Sequence, residues 1–214
     1  AGYVKLMVAT HPTSHIPAGL VVGHGALDSE LSDDRIDAIL VGPGLGRNDV
    51  AVSRLQTALH TGKPCLIDAD ALVLLKPNML GGHGSLLATP HEGELDAMCR
   101  HFDVLAGSRQ ARVQALAIRS GITIVAKGPD TIIAAPDGRL ALAPPATSWL
   151  SVAGTGDILA GMAVSRMATG KAPFEAASEA VWLHGTAASL CGGALTAGDL
   201  AGMTSHAMAM AVRK

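Results

Sequence analysis

Gly154-Thr155-Gly156-Asp157 is the stretch of this sequence best placed to do chemistry. It runs directly into Ile158-Leu159-Ala160-Gly161, an apolar pattern that predicts a helix from Asp157 to Ala168. A helix start of this kind offers unpaired N–H groups and the positive end of the helix dipole to an anion. Glycine lets a phosphate approach the backbone closely. A carboxylate beside phosphates is electrostatically costly, so Asp157 needs a purpose. Taking a proton from a hydroxyl that attacks a phosphoryl group would supply one. The competing reading is plain: acids are favoured in the first turn of any helix.

Three further segments carry candidate ligand groups. Val41-Gly42-Pro43-Gly44-Leu45-Gly46 lies between a strand and a helix and approximates a dinucleotide fingerprint, with Asp68 about where a ribose-binding acid would stand. The fit is imperfect. The third glycine comes one residue early, and Pro43 removes a backbone donor. Leu87-Ala88-Thr89-Pro90-His91-Glu92-Gly93-Glu94 puts His91 and Glu94 just past a strand end, where a polar ligand would be met. A Thr89–Glu92 capping box is the local expectation, leaving His91 and Glu94 free. Lys127-Gly128-Pro129-Asp130-Thr131 reads as a turn between strands, and its lysine could also meet phosphate or adenosine.

Weaker candidates surround these. In Asp68-Ala69-Asp70 either acid could serve Mg2+ through water, or one could cap the next helix. Direct metal ligands are not expected, since Cys99 and His101 lack companions at useful spacing. His184 and His206, on alanine-rich helices, read as packing residues. Met203, Met208 and Met210 read as a packing stripe.

The elements that must hold these loops are legible in outline. Strands are predicted at Tyr3–Ala9, Ala38–Val41, Cys65–Ile67, Ser85–Ala88, Ile122–Ala126 and Thr131–Ala135. Helices are predicted between Asn48 and His60, over Ser108–Ser120, and at Asp157–Ala168, Pro173–Leu190 and Asp199–Val212. Such alternation predicts an α/β fold: a mainly parallel central sheet, helices on both faces and a helix-rich C-terminal third. Ligands of such sheets bind beyond the carboxyl ends of the strands, where all the motifs lie.

Composition narrows the class. The 214 residues suffice for one domain spanning 1–214, with a core of small aliphatic side chains, since 49% are hydrophobic but only 2% aromatic. A net charge of -2 gives no field for nucleic acid, and no apolar run approaches the roughly 18–20 residues of a membrane span. Cys65, Cys99 and Cys191 are odd in number and in apolar contexts, which reads as buried thiols in a reducing compartment and hence a cytoplasmic location.

In their order the motifs become specific. Gly-Pro-Gly-Leu-Gly at 42–46, Asp-Ala-Asp-Ala-Leu at 68–72 and Thr-Pro-His-Glu-Gly-Glu at 89–94 come first. Lys-Gly-x-x-Thr at 127–131, Gly-Thr-Gly-Asp-Ile-Leu-Ala-Gly at 154–161 and His-Gly-Thr-Ala-Ala at 184–188 follow. Over essentially the whole chain this series resembles the ADP/ATP-dependent NAD(P)H-hydrate dehydratases, also found as the C-terminal domain of bifunctional repair enzymes. The resemblance implies a ribokinase-like fold and a metabolite-repair reaction. In it the ring hydroxyl of NADHX or NADPHX (S epimer) is phosphorylated from ATP or ADP with Mg2+, and phosphate is then eliminated to restore NADH or NADPH. It also implies that Gly44, Gly46, His91 and Asp157 meet the hydrated dinucleotide and that Asp157 is the base. Lys127, Gly128, Pro129, Asp130, Thr131, Gly154, Thr155 and Gly156 would hold the adenine nucleotide, with Asp68 and Glu94 reaching Mg2+ through water.

The family usually opens with a strand, a small-residue loop and a helix before Gly-Ala-Gly-x-Val. This chain starts at Ala1-Gly2-Tyr3-Val4, so that segment is expected to be missing, and self-association into a homo-oligomer is expected. The runner-up is a ribokinase-like small-molecule kinase of the hydroxyethylthiazole or hydroxymethylpyrimidine type. A dinucleotide-binding oxidoreductase and an inactive binding module are weaker rivals.

Overall fold

The computed structural model of the protein describes residues 3–8, 17, 19–81, 85–105 and 107–212. Its strands are β1 (Val4–Met7), β2 (Leu20–Gly23), β3 (Ile39–Val41), β4 (Cys65–Ile67), β5 (Leu86–Ala88), β6 (Thr123–Ala126), β7 (Ile132–Ala134) and β8 (Leu140–Leu142). Between them run α1 (Leu27–Leu31), α2 (Asp49–His60), α3 (Asp70–Leu74), α4 (Glu92–His101) and α5 (Arg109–Ser120). The chain then closes with α6 (Thr155–Met167), α7 (Pro173–Cys191) and α8 (Ala197–Val212).

β3 to β8 form one six-stranded sheet in sequence order, and β3, β4, β5 and β6 are parallel. β7 and β8 turn back antiparallel. Their connections are too short for a crossover helix, which a parallel pair would need. The tight turn before Arg139 uses Gly138 at φ +92°, where glycine is favoured. β1 pairs in parallel with β2 in a separate two-stranded sheet, and Ala9 of the expected first strand lies outside the described residues. Among the described residues no strand pairs with the outer edge of β3.

Side-chain alternation divides the core between two layers. Cys65, Ile67, Leu86, Ala88, Ile124 and Ala126 pack with Leu55, Leu72, Leu95 and Leu116 on the face covered by α2 to α5. Leu66, Leu87, Val125 and Ile133 face the alanine-rich layer of α6 to α8, through Leu159, Ala163, Ala180, Leu183 and Leu200. Both faces of the strands are buried, which is why they read as unbroken apolar runs. The methionine stripe divides: Met203 and Met208 pack on the second layer, whereas Met210 is exposed.

The same alternation aims the chemistry. In a strand, residues two apart share a face. Two positions beyond Leu66, Leu87 and Val125 stand Asp68, Thr89 and Lys127, so three neighbouring strands each finish with a polar residue toward α6 and α7.

Candidate active site

Lys127 Nζ lies 3.0 Å from Asp68 Oδ1 and 4.0 Å from Glu94 Oε2. Its stem therefore crosses the end of β5, above Thr89. Asp68 is 1% exposed and Thr89 fully buried, and among the described residues the Thr89 hydroxyl has no hydrogen-bond partner. The ammonium also stands beside the start of α6, where a Cβ built on Gly156 would be 3.5 Å from Nζ. The lysine thus leaves its own loop and joins the glycine-rich turn.

That turn is shaped for an anion. Gly154 caps α6 at φ +89°, and the Thr155 hydroxyl donates back to the preceding turn, 2.6 Å from the Leu150 carbonyl and 2.8 Å from that of Val152. Thr155 is buried, so its backbone rather than its hydroxyl faces the turn. The N–H groups of Gly156 and Asp157 find no acceptor among the described residues, as expected of the first turn of a helix. Asp157 is exposed, and its carboxylate makes no hydrogen bond or ion pair there.

The loop of Gly42 to Gly46 is locked onto the segment after β4. A Cβ on Gly42 would fall 1.7 Å from the Asp68 carbonyl oxygen, so only glycine fits. Gly46 N–H donates to Asp70 Oδ2 at 3.0 Å, and Arg47 Nε to Asp70 Oδ1 at 2.7 Å. Asp70 thus reaches back to the loop, and the cap position of α3 is Ala69, which supplies no side-chain hydrogen bond. Ala69 itself sits at φ 49°, ψ -126°, a strained conformation for a residue with a Cβ. Gly44 is exposed with open space beside it.

At the start of α4 the capping box differs from the Thr89–Glu92 pair expected locally. His91 Nδ1 accepts from the N–H groups of Gly93 and Glu94, and Glu94 Oε2 accepts from His91 N–H at 2.8 Å. The helix begins at Glu92, two residues later than a Thr89 cap requires, because the chain runs on beside β6 as far as Pro90, whose carbonyl accepts from Lys127 N–H at 2.8 Å. His91 and Glu94 are therefore partnered, whereas the Thr89 hydroxyl is not. Glu92 instead receives Arg109 at 2.8 Å and also pairs with Arg112, and these cations hold its carboxyl below the usual range.

Arg109 gave no sequence signal, yet it organises the 126–130 loop. Its guanidinium donates to the carbonyls of Asp130 (2.6 Å), Lys127 (3.0 Å) and Ala126 (3.1 Å) while Nε holds Glu92. Pro129 and Asp130 are exposed beyond it, and Thr131 donates to the Gly128 carbonyl at 3.3 Å. Gly128 fits closely: a Cβ there would lie 2.7 Å from Arg109 Nη2. His206 is exposed on α8, away from these loops, and His101 binds the Leu75 carbonyl at 2.8 Å. Among the described residues no group of three or more His, Cys, Asp or Glu could hold a metal ion.

The sheet order and the two helical layers define a ribokinase-like fold. The structure superimposes on a ribokinase-like superfamily protein from Enterococcus faecalis with a TM-score of 0.71 at 23% identity, covering 89% of this chain and 70% of that one. The pattern of the NAD(P)H-hydrate dehydratase family matches residues 2–210, and the chain belongs to that family. It is 37% identical over 194 residues to the ADP-dependent (S)-NAD(P)H-hydrate dehydratase of Neisseria meningitidis serogroup B, covering 87% of this chain and 65% of that relative. The chain thus spans slightly less than two thirds of the relative's length. The ADP/ATP-dependent NAD(P)H-hydrate dehydratase of Bacillus subtilis, co-crystallised with ATP and Mg2+, has a TM-score of 0.75 at 26% identity, covering 90% of this chain and 72% of that one.

Proposed function

We propose that this chain dehydrates the S epimer of NADHX or NADPHX to NADH or NADPH at the expense of ATP or ADP. One observation carries the reading: the start of α6, where the N–H groups of Gly156 and Asp157 and the Asp157 carboxylate have no partner among the described residues, lies beside the Lys127 ammonium. Phosphate would be bound by the donors and dipole of the α6 start, with Lys127 offsetting its charge. Gly128 to Thr131, held by Arg109, would carry the rest of the nucleotide beside Gly154 and Thr155. Gly44, Gly46 and His91 would line the dinucleotide side. Asp157 would take the proton of the ring hydroxyl as its oxygen bonds to the terminal phosphorus, and the nucleotide would leave one phosphate shorter. Loss of that phosphate from the ring, with a proton from the neighbouring ring carbon released to solvent, then forms the ring double bond of NAD(P)H.

Asp68 and Glu94 are already neutralised in part by Lys127, a donor set too poor for an all-protein metal cage but suited to Mg2+ held mostly by phosphates and water. The ion would supply charge neutralisation to the phosphates when bound. A homo-oligomer is supported by the unpaired edge of β3 and by exposed Val4, Leu6 and Val21 on the two-stranded sheet. The three free cysteines fit a cytoplasmic setting, and among the described residues no helix is long and apolar enough to cross a membrane.

The test is turnover of purified NADHX with ATP and ADP supplied separately, followed by the absorbance of reduced nicotinamide and by phosphate release. Nucleotide-dependent appearance of NADH with inorganic phosphate is expected. Accumulation of a stable phosphorylated substrate would instead identify a small-molecule kinase, and no nucleotide dependence would sink the proposal.

A further inference from the structure

We infer that His184 is a positioning residue of the α6 anion turn, holding the Thr155 carbonyl so that the Gly156 N–H is presented to the bound phosphate. The inference rests on the nucleotide reading of that turn. His184 lies within α7, 8% exposed, with Nε2 2.9 Å from the Thr155 carbonyl oxygen. A carbonyl only accepts, so Nε2 carries the proton. The Thr155 carbonyl and the Gly156 N–H belong to one planar trans peptide and point in opposite directions. A carbonyl drawn inward toward α7 therefore turns the Gly156 N–H outward.

Two features show why such a tether is needed. Gly154 and Gly156 give the turn backbone freedom that no side chain of their own restrains. Thr155 is accordingly fixed at both ends, its hydroxyl to the preceding turn and its carbonyl to His184. A residue that merely filled space here would be aliphatic, since a buried imidazole is costly unless hydrogen-bonded. Burial above all, helped by repulsion from the nearby Lys127 ammonium, holds the imidazole below its usual pKa, although the Thr155 hydrogen bond acts the other way. It stays neutral behind the anion turn.

The experiment compares His184→Leu, which loses the donor, with His184→Gln, which keeps an N–H on a chain of similar reach. Nucleotide Kd is measured by calorimetry with ATP and ADP, KM and kcat by turnover, and the Gly156 amide chemical shift in the free protein by NMR. His184→Leu should raise nucleotide Kd and KM about tenfold or more, the effect of disturbing one hydrogen bond to a charged group. kcat should change less than KM, the Gly156 amide signal should shift, and His184→Gln should recover most of both. If His184→Leu does not fold, His184→Asn, polar but too short to reach, takes its place. Unchanged Kd and an unchanged Gly156 amide signal, with only a lower Tm, would make His184 a packing residue and overturn the inference. If the Gly156 signal responds but the wild-type protein binds neither nucleotide, the tether stands and the nucleotide reading falls.

Discussion

Lys127 and Asp68, 59 residues apart in sequence, meet at 3.0 Å across the carboxyl end of β5. The carboxylate is almost wholly buried and the ammonium only slightly open to solvent. A buried charge that loses its partner is strongly destabilising, because the survivor keeps its desolvation cost without compensation. Lys127→Met should lower unfolding free energy by about 3 kcal/mol in urea titrations. The double variant with Asp68→Asn should recover part of that loss. A double variant that loses as much as the two single variants added together would show that the two groups are not coupled. Turnover should fail wherever Lys127 is replaced, since the proposed phosphate site loses its cation.

Asp157 is the reverse case, a carboxylate with no bond to lose. Asp157→Asn should leave Tm nearly unchanged and cut turnover by about 10²–10⁴-fold, the range for a missing general base. Nucleotide affinity should stay similar or improve, since one negative charge near the phosphates is gone. Steady-state kinetics and calorimetry on the purified variant decide it. Near-normal turnover would end the base assignment.

The backbone between Gly42 and Ala69 yields a pair of opposite expectations. Ala69→Gly should stabilise the fold by up to about 1 kcal/mol, because glycine takes positive φ without the cost of a Cβ. Gly42→Ala should destabilise sharply, since its Cβ would collide with the Asp68 carbonyl at 1.7 Å. Urea midpoints for both variants test the pair. A destabilised Ala69→Gly would mean that relief of strain is outweighed elsewhere.

His184 predicts a direction for pH dependence. Its folded pKa lies below a histidine's ordinary 6.5, with burial the main cause and Lys127 the charge facing it. The unfolded chain therefore binds its proton first as pH falls. The stability His184 contributes is full above 6.5 and declines below it, levelling once the folded pKa is passed. Melting temperatures of wild type and His184→Gln from about pH 8 to about pH 5 should converge toward the acid end. A constant gap would contradict the shift.

Thiol reactivity follows burial. Cys65 is enclosed, and burial pushes its thiol up to about 12, while Cys99 is raised for the same reason. Cys191, expected from its apolar surroundings to be buried, is half-buried at the end of α7, where the chain leaves the helix. A maleimide should label Cys191 first in the native protein and reach the other two only on unfolding. Rapid native labelling of Cys65 would contradict its enclosure.

Much of this was legible in the chain itself. The parallel strands were visible because burial on both faces makes Cys65-Leu66-Ile67 and Leu86-Leu87-Ala88 continuous apolar runs. α2 and α5 were bracketed by Asn48 and Ser108, whose side chains do cap them. What stayed hidden depends on pairing across distance. β2, α1, α3 and β8 are short, and no local period marks them. The antiparallel turn of β7 and β8 hinges on connection length rather than on strand composition. At the site, the glycine-rich turn could be seen, but not which residues support it. Asp70 looked like a metal or capping residue until Gly46 and Arg47 were found in its grasp. Thr89 and His91 exchanged roles because pairing with Lys127 N–H holds the chain beside β6 as far as Pro90 and the helix starts only after it.

Arg109 joins Glu92, next to His91, to the carbonyls of Ala126, Lys127 and Asp130. One guanidinium is thus a common abutment for the start of α4 and the 126–130 loop. On the proposed placement of the nucleotide, any shift of the 126–130 loop would pass through the Arg109–Glu92 bond to the start of α4, and the reverse would hold as well. Linkage of this kind is reciprocal: whatever factor nucleotide imposes on dinucleotide affinity, the dinucleotide must impose on nucleotide affinity. On that placement each ligand would sense the other through backbone carbonyls and a single side chain.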